Sequence, residues 1–344
     1  MAAKRVPVAV LGATGYVGAE LLRTLSRHPN VELTFVSSEQ YRGRRVSDVY
    51  PSLVGHTDLV LEAPDPEAAA SRSEVVFTAL PHGASSPIVA ALRKRGRIVV
   101  DQSADFRLRD LAVYTATYGD HHAAPELLRE AVYGIPEFYR DALRTTRLVA
   151  VPGCYPTCAL LGLVPLARAG LIREPVVIDA KSGTTGAGRA AKVEQLFAEV
   201  NENFRPYGIA GHRHAPEITE ELAVAGAPAG ALFIPHLLPL SRGMECTMYV
   251  RTPPTPPLEA IFTRAYADEP CIVLRGEEPP TIREVRGTNR CAIGWRYDAA
   301  TGYAVVMTTL DNLGKGAAGG GVQCMNVVLG LAETTGLDGP ALVP

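Results

Sequence analysis

The chain has 344 residues, 47% of them hydrophobic, and its 34 basic residues nearly balance its 36 acidic ones. This length and composition predict a globular protein with a large core and two domains, with a single large domain as the alternative. A net charge of −2 excludes the bulk positive field that attracts nucleic acid or an anionic membrane. No apolar run approaches the roughly 20 residues of a membrane helix, so we expect no membrane partner.

The first part of the chain alternates between predicted strands and helices. Apolar runs at Val6–Leu11, Val31–Val36, 75–80 and 98–100 predict buried strands, with helical stretches such as 86–95 between them. This alternation predicts an α/β fold with a parallel sheet that is covered on both faces. The first run could resemble a signal peptide, but it is too short and runs into a glycine turn, so we expect a strand.

The second part of the chain has fewer helices between its strands. We predict a helix over 157–169 and strands over 176–180, 231–235, 245–251, 272–274 and 303–309. This order favours a mixed or antiparallel sheet in a second domain. A last helix over 317–332 could pack back on the first domain and make that domain discontinuous.

Six cysteines occur without regular spacing and without a Cys-x-x-Cys pair. This usage predicts reduced thiols in the cytoplasm rather than a disulfide framework or a structural zinc site.

A glycine-rich turn lies between the first strand and the first helix. The spacing is Gly-x-x-Gly-x-x-Gly, and a helix that begins after such a turn can direct its N-terminus at a pyrophosphate. A plain tight turn is the alternative interpretation. We predict a dinucleotide that contacts Gly12, Thr14, Gly15, Tyr16, Val17 and Gly18.

The end of the second strand indicates which dinucleotide binds. An acidic residue there would bind the ribose hydroxyls of NAD, whereas this chain has Ser37 and Ser38, followed by Glu39, Arg42 and Arg44. Serine hydroxyls with nearby arginines suit a 2′-phosphate, so we predict NADP, used as NADPH. Glu39 is the competing observation, and a solvated arginine face is the alternative for the loop.

Three further segments are candidates for contact with the nicotinamide half of the cofactor. Pro81 and His82 follow the end of a strand, with a turn histidine without chemistry as the alternative for His82. Ser182 and Gly183 lie in a glycine-rich loop that could approach the nicotinamide or an anionic substrate, or could simply be flexible. Asn312 opens a second glycine-rich stretch and could bind the nicotinamide carboxamide.

Cys154 is the candidate nucleophile. A predicted strand reaches Gly153, and the next helix is predicted to begin near Pro156. The positive end of the helix dipole would lower the pKa of this cysteine and favour the thiolate, which attacks acyl carbons. The alternative is a buried, inert cysteine, which is our interpretation of Cys158.

The densest group of titratable residues is Gly-His-Arg-His-Ala-Pro-Glu at 211–217. In an extended segment His212 and His214 would point to one side and Arg213 to the other. A histidine near a thiolate can act as acid or base, and an arginine can grip a carboxylate or phosphate. Two histidines could bind a metal ion instead, but no third ligand accompanies them, so we predict no metal site.

Arg107 ends the segment Asp-Gln-Ser-Ala-Asp-Phe-Arg, which follows a buried strand. It is a candidate clamp for an anionic group of the substrate. The alternative is an ion pair with Asp105 or Asp110.

Together these motifs resemble the N-acetyl-γ-glutamyl-phosphate reductase family, from about Val6 to the C-terminus. The resemblance rests on the segments that begin at Gly12, Leu80, Asp101, Pro152, Gly211, Gly287 and Asp311. It implies a Rossmann-type parallel-sheet nucleotide domain and an α+β substrate and dimerisation domain with a mixed sheet, similar to that of aspartate-semialdehyde dehydrogenase. We expect the NADP-binding domain to comprise 1–153 and 314–344, and the catalytic domain 154–313.

The resemblance also implies roles for individual residues. Cys154 would be the nucleophile and His212 the acid/base group. Arg107, Arg213, His214 and Glu217 would bind or orient the substrate, with Arg107 at its phosphate end.

The implied reaction is the NADPH-dependent reduction of N-acetyl-γ-glutamyl phosphate, a small acyl phosphate, to N-acetylglutamate semialdehyde and phosphate through a Cys154 thioester. The family serves arginine biosynthesis, and a homo-oligomer, dimer or tetramer, is expected. Related enzymes reduce aspartyl or aminoadipyl phosphate, and their Asn-Cys-Thr and Gly-Cys-Asn-Ala-Thr patterns differ from Gly-Cys-Tyr-Pro-Thr here. Two alternatives from other classes are a cysteine-dependent acyl hydrolase or transferase and a non-catalytic nucleotide sensor.

Overall fold

The computed structural model describes residues 5–119, 122–228 and 230–342. Two compact units divide the chain: the first contains the chain up to Pro152 together with Ala317–Asp338, and the second contains Gly153–Gly316 together with the chain from Gly339. The outermost residues of the expected nucleotide domain, 1–4 and 343–344, lie outside the described residues. No helix among the described residues is long and apolar enough to cross a membrane.

A six-stranded sheet in the order β2-β1-β3-β4-β6-β5 forms the centre of the first unit. All of its paired strands run parallel, which confirms the predicted parallel sheet. The strands are β1 (Val6–Leu11), β2 (Val31–Val36), β3 (Val75–Thr78), β4 (Ile98–Asp101), β5 (Val132–Tyr133) and β6 (Leu148–Ala150). The helices before the second unit are α1 (Tyr16–Leu25), α2 (Val46–Val49), α3 (Pro66–Arg72), α4 (Ser85–Lys94), α5 (Leu111–Tyr118) and α6 (Pro136–Leu143).

Both faces of this sheet are buried, which explains why its strands read as continuous apolar runs. On β1, Val8 and Val10 belong to one core cluster, whereas Ala9 and Leu11 belong to another. Because side chains alternate across a strand, each cluster lies on one face. The carboxyl ends of the parallel strands, where ligands bind in open α/β sheets, carry the loops that the sequence singles out.

A seven-stranded mixed sheet in the order β11-β12-β13-β10-β7-β9-β8 forms the second unit. Its strands are β7 (Val176–Ser182), β8 (Arg205–Pro206), β9 (Ala231–Leu237), β10 (Met244–Arg251), β11 (Ile272–Gly276), β12 (Cys291–Asp298) and β13 (Tyr303–Leu310). The helices are α7 (Cys154–Arg168), α8 (Phe197–Val200), α9 (His214–Val224) and α10 (Leu258–Tyr266), and α11 (Gly319–Val328) returns to the first unit. The predicted mixed sheet is therefore confirmed.

Helix α7 packs on one face of this sheet. The Cys158 thiol lies 3.2 Å from the hydroxyl of Thr308 on β13, and both side chains are buried. Side chains that point to the opposite face of the sheet, such as those of Ile234 and Met307, are only half-buried. The sheet thus has one face covered by helices and one open face, as antiparallel and mixed sheets allow.

Two predicted helix starts were wrong. Helix α7 begins at Cys154 rather than at 157, because Pro156 needs no N–H partner within the first turn and does not delay the helix. Before α11, a π-helical turn at Gly314–Ala318 replaces the predicted start at 317. The strand β12 was not predicted.

Candidate active site

The glycine turn after β1 has the geometry that the motif predicts. Gly12 has φ +80°, which only glycine adopts without strain, and a Cβ there would overlap the carbonyl oxygen of Ala79. Gly15 is the N-cap of α1 and makes no side-chain cap, so the first N–H groups of α1 are not used by a capping side chain. Tyr16 and Val17 begin that helix. A glycine turn followed by a helix N-terminus without a capping side chain fits the pyrophosphate of a dinucleotide.

The two serines after β2 are buried and bind the glycine turn. The N–H of Gly12 donates to Ser37 Oγ at 3.3 Å, and the hydroxyls of Thr14 and Ser38 share a hydrogen bond of 2.7 Å. A Cβ on Gly18 would overlap the carbonyl of Gly12, so this glycine is also required by close packing. The serine hydroxyls therefore hold the turn in shape.

Arg42 and Arg44 lie on the loop that follows and are exposed. Arg44 donates from Nη2 to the carbonyl of Asp48 at 3.1 Å, and its guanidinium lies 5.8 Å from the ring centroid of Tyr41. Two cationic side chains therefore lie exposed on the loop that follows β2.

The loop after β3 carries Pro81 and His82, both exposed. Asp105 is fully buried, and its carboxylate accepts hydrogen bonds from the N–H groups of Gly83 at 2.7 Å and Ser86 at 2.8 Å. These bonds fix the loop at the start of α4.

Arg107 is half-buried and holds main-chain carbonyls. Its Nε donates to Val151 at 2.7 Å and its Nη2 donates to Gln102 at 2.8 Å. Both carboxylates named as alternative partners accept other hydrogen bonds: Asp105 holds the loop before α4, and Asp110 caps α5. The guanidinium thus supports the segment three residues before the candidate nucleophile.

Cys154 is the first residue of α7 and is half-buried, whereas the other five cysteines are buried. The N–H of Gly153 donates to Glu217 Oε1 at 2.9 Å, and this carboxylate is 1% exposed. A Cβ on Gly153 would overlap the imidazole of His214. A Cβ on Gly316 would lie 2.9 Å from that of Cys154, so this glycine leaves room for the candidate nucleophile.

The predicted extended segment at 212–214 was wrong. Helix α9 begins at His214, and Arg213 already has helical backbone angles, φ −58° and ψ −18°. Pro216 sits in the first turn, where its missing N–H costs nothing, so it is compatible with a helix that begins at His214. The rings of His212 and His214 nevertheless lie 4.8 Å apart between centroids, while Arg213 is exposed.

Burial lowers the pKa of His212 to about 4, and the charge of Arg213 lowers it further in the same direction. The imidazole of His212 is therefore neutral at pH 7. It packs edge-on against Tyr155 and Tyr207, with centroids 5.9 Å and 5.5 Å away.

The two tyrosines were not predicted as part of the site. Tyr207 donates its hydroxyl hydrogen to the Tyr155 hydroxyl at 3.3 Å, and Tyr155 donates to the carbonyl of His236 at 3.1 Å. Burial raises the pKa of Tyr207 to about 12, and the charge of Cys154 adds to the rise. A tyrosine directly after the nucleophile was the only sequence signal for this pair.

The glycine-rich loops of the second unit meet around Asn312. Its Oδ1 accepts the N–H of Gly243 at 2.8 Å, and its Nδ2 donates to Thr185 Oγ1 at 2.9 Å. Ser182 is buried and donates to the carbonyl of Gly183 at 3.0 Å. Within the described ranges, no cluster of three His, Cys, Asp or Glu side chains could hold a metal ion.

Two family models match consecutive parts of the chain. Residues 7–146 match the NAD binding domain of semialdehyde dehydrogenases, and residues 154–312 match the dimerisation domain. The chain is 51% identical over 345 residues to the N-acetyl-gamma-glutamyl-phosphate reductase of Halorhodospira halophila, covering 98% of this chain and 100% of the relative. That of Moorella thermoacetica is 47% identical with the same coverage. This chain belongs to the N-acetyl-γ-glutamyl-phosphate reductase family.

Solved structures with a similar fold are more distant in sequence. Aspartate semialdehyde dehydrogenase II of Vibrio cholerae, complexed with ASA, has a TM-score of 0.73 at 18% identity, covering 95% of this chain and 99% of its own. The Candida albicans enzyme with NADP has a TM-score of 0.71 at 17% identity with the same coverage. At this identity the likeness concerns the fold.

Proposed function

We propose that the protein reduces N-acetyl-γ-glutamyl phosphate to N-acetylglutamate semialdehyde and phosphate with NADPH, as its family does in arginine biosynthesis. The observation that carries this proposal is a half-buried cysteine at a helix start, next to a glycine whose N–H binds Glu217 and against which His214 packs, in a chain about half identical to reductases of that name. We propose that residues of the first unit bind NADP and that the second unit provides the chemistry.

We propose that His212 takes up the proton of the Cys154 thiol. The thiolate then attacks the acyl carbon, the carbon–oxygen bond to phosphate breaks, and a thioester forms on Cys154. NADPH, when bound, supplies the hydride that reduces this thioester. The protonated His212 returns its proton to the oxyanion, and the collapse of the thiohemiacetal releases the aldehyde and regenerates the cysteine.

The main chain at the start of α7 is suited to stabilise the oxyanion. The N–H groups of Cys154 and Tyr155 lie in the first turn, where the helix has no carbonyl partners for them. Glu217 orients this turn through its hydrogen bond to Gly153, and His214 packs against the same residue. For Arg107 and Arg213 we propose contact with the anionic groups of the substrate.

The cofactor assignment rests on the glycine turn and on the loop after β2. The pyrophosphate would bind at Gly12, Thr14, Gly15, Tyr16, Val17 and Gly18. Ser37 and Ser38 shape that turn, so we propose that Arg42 and Arg44 bind the 2′-phosphate of NADP. The proposed contacts of the nicotinamide half are Pro81, His82, Ser182, Gly183 and Asn312.

A homo-oligomer would use the open face of the mixed sheet. Leu232 and Tyr249 are exposed large side chains on this face, and Ile234 and Met307 are half-buried there. Apolar surface of this kind marks protein contacts, and the matching family model is a dimerisation domain. We propose a dimer as the smallest unit, and a cytoplasmic location because the six cysteines have neither regular spacing nor a Cys-x-x-Cys pair.

The decisive experiment runs the reaction backwards. N-acetylglutamate semialdehyde, phosphate and NADP are mixed with the protein, and NADPH formation is followed by absorbance, with aspartate semialdehyde in parallel. We expect phosphate-dependent NADPH formation with the acetylated substrate, abolished in Cys154→Ser and retained in the matched control Cys158→Ser. The absence of phosphate-dependent NADP reduction would contradict the proposal, and Cys154-dependent ester cleavage without NADP would favour a hydrolase.

A further inference from the structure

Asp311 is a fully buried carboxylate directly after β13, and it gathers donors from three loops of the second unit. Arg242 donates from Nε to Oδ2 at 3.0 Å and from Nη2 to Oδ1 at 3.1 Å. The N–H of Gly287 donates to Oδ2 at 2.6 Å, and those of Leu313 and Gly314 donate to Oδ1 at 2.9 Å and 3.0 Å. Both carboxylate oxygens therefore accept at least two hydrogen bonds.

The main chain of Asp311 connects this carboxylate to the nucleophile. Its carbonyl accepts the N–H of Gly316 at 3.0 Å, within the π-helical turn Gly314–Ala318. Gly316 lies against Cys154, where a Cβ would come within 2.9 Å of the cysteine Cβ. Single π-helical turns within helices are frequent at functional sites.

Asn312 extends the same arrangement to the loop after β7. Its amide binds Gly243, which is next to Arg242, and Thr185 in the 3₁₀ turn Thr184–Ala187. Two consecutive side chains thus tie together the loops before β10 and after β7, the turn at Gly287 and the π-helical turn beside Cys154.

We propose that Asp311 is a positioning residue for Cys154: through the π-helical turn it sets where Gly316 presses on the cysteine, and hence where the thiol points. This inference rests on the proposed role of Cys154 as nucleophile. The carboxylate is the group that can satisfy these donors, because an amide in its place turns one acceptor into a donor. Asp311→Asn would leave Arg242 or the backbone N–H groups facing another donor, and the turn would move.

A displaced thiol reacts more slowly even when the protein is folded. Misplacement of a reacting group by about 1 Å can cost about 100-fold in rate. We therefore expect Asp311→Asn to lower kcat by about 100-fold while the KM for the acyl phosphate and the binding of NADPH change by less than about 3-fold. The matched control is Asp298→Asn, which removes a carboxylate at the opposite end of the same β-hairpin.

A second readout needs neither substrate nor cofactor. Cys154 is the one cysteine that is not buried, so iodoacetamide should alkylate it selectively, which mass spectrometry of the intact chain can follow. We expect slower alkylation and an altered pH profile of its rate in Asp311→Asn, and a parental rate and profile in Asp298→Asn. If the parent lacks reductase activity, the proposed function fails, and the alkylation series still decides the role of Asp311.

Gly316→Ala covers the case in which Asp311→Asn does not fold. The added methyl presses on Cys154 directly, with Leu310 Cδ1 at 3.0 Å and the Asp311 carbonyl oxygen at 3.3 Å as its next neighbours, and the Asp311 carboxylate itself is retained. A folded Asp311→Asn with parental kcat and alkylation would overturn the proposal, as would a parental alkylation rate in Gly316→Ala. A loss of NADPH binding in parallel with kcat would also overturn it, because Asp311 would then be a structural residue only.

Discussion

The pH dependence of the reaction should reveal the low pKa of His212. This pKa lies at about 4 because the imidazole is buried and because Arg213 adds a positive charge. If neutral His212 takes the proton of Cys154, activity should persist well below the ordinary histidine range. The acid limb of kcat/KM reports the pKa of such a base in the free enzyme, so it should lie near pH 4 to 5.

The size of the effect follows from the two pKa values. At pH 5 a group with a pKa of about 4 is about 90% neutral, whereas one with the ordinary value of 6.5 is about 3% neutral. Initial rates of NADP reduction at low substrate concentration, between pH 4 and 8, measure this difference. Replacing Arg213 with glutamine removes one cause of the low pKa and should move the acid limb upward.

The control for this charge change is Arg251→Gln, an exposed arginine at the end of β10. It should leave the acid limb in place. An acid limb centred near 6.5 in the parent, and unmoved in Arg213→Gln, would refute the reasoning. The free energy of unfolding has to be measured over the same pH range. On acidification, His212 is protonated at a higher pH in the unfolded chain than in the folded protein, so acid also lowers the stability of the fold. This linkage removes at most about 3 kcal/mol between pH 6.5 and 4, and less once solvent screening is included.

Three further predictions concern packing, acid stability and assembly. Gly153→Ala should reduce kcat strongly with NADPH binding unchanged in a fluorescence titration, since the new methyl overlaps His214; an unchanged kcat would contradict this contact. Burial lowers the pKa of His28, and Asn326 binds its ring, so the native state favours the neutral form. Urea unfolding should therefore show stability falling below pH 6.5, less steeply in His28→Gln; equal slopes would exclude His28 as a cause. Ile234→Asp should dissociate the oligomer in light-scattering measurements, and a parental mass would rule out the open sheet face as the interface.

The fold could be predicted because its signals are local. Successive side chains of β1 are buried in two core clusters, so the strand is a continuous short apolar run in the sequence. The glycine turn follows this run directly. Strand β12 was missed because Gly294 interrupts its apolar pattern, and this glycine is explained by close neighbours on another segment, the carbonyl of Glu278 above all. These two residues are 16 positions apart and meet because β11 packs beside β12. The hydrophobic periodicity of the sequence cannot predict such a contact.

Residues of the candidate site could be proposed from the sequence only where several reactive residue types lie together in one short segment. Cys154 and the histidines around residue 213 lie in short motifs, so the sequence alone was enough to propose them as site residues. The functions of Ser37 and Asp311 depend on partners distant in the chain: Ser37 binds Gly12, and Asp311 binds Arg242, 69 residues away. Arg242 has no flanking pattern that separates it from a surface arginine.

The start of α7 illustrates how one glycine serves both the fold and the proposed chemistry. A serine or aspartate at position 153 would ordinarily cap the helix, but its side chain would occupy the first N–H groups, and its Cβ would overlap His214. Glycine at an N-cap is only a few tenths of a kcal/mol worse than those residues. The uncapped start therefore costs about that much, and no capping side chain occupies the first turn of α7, where we propose that the oxygen that becomes charged during the reaction binds.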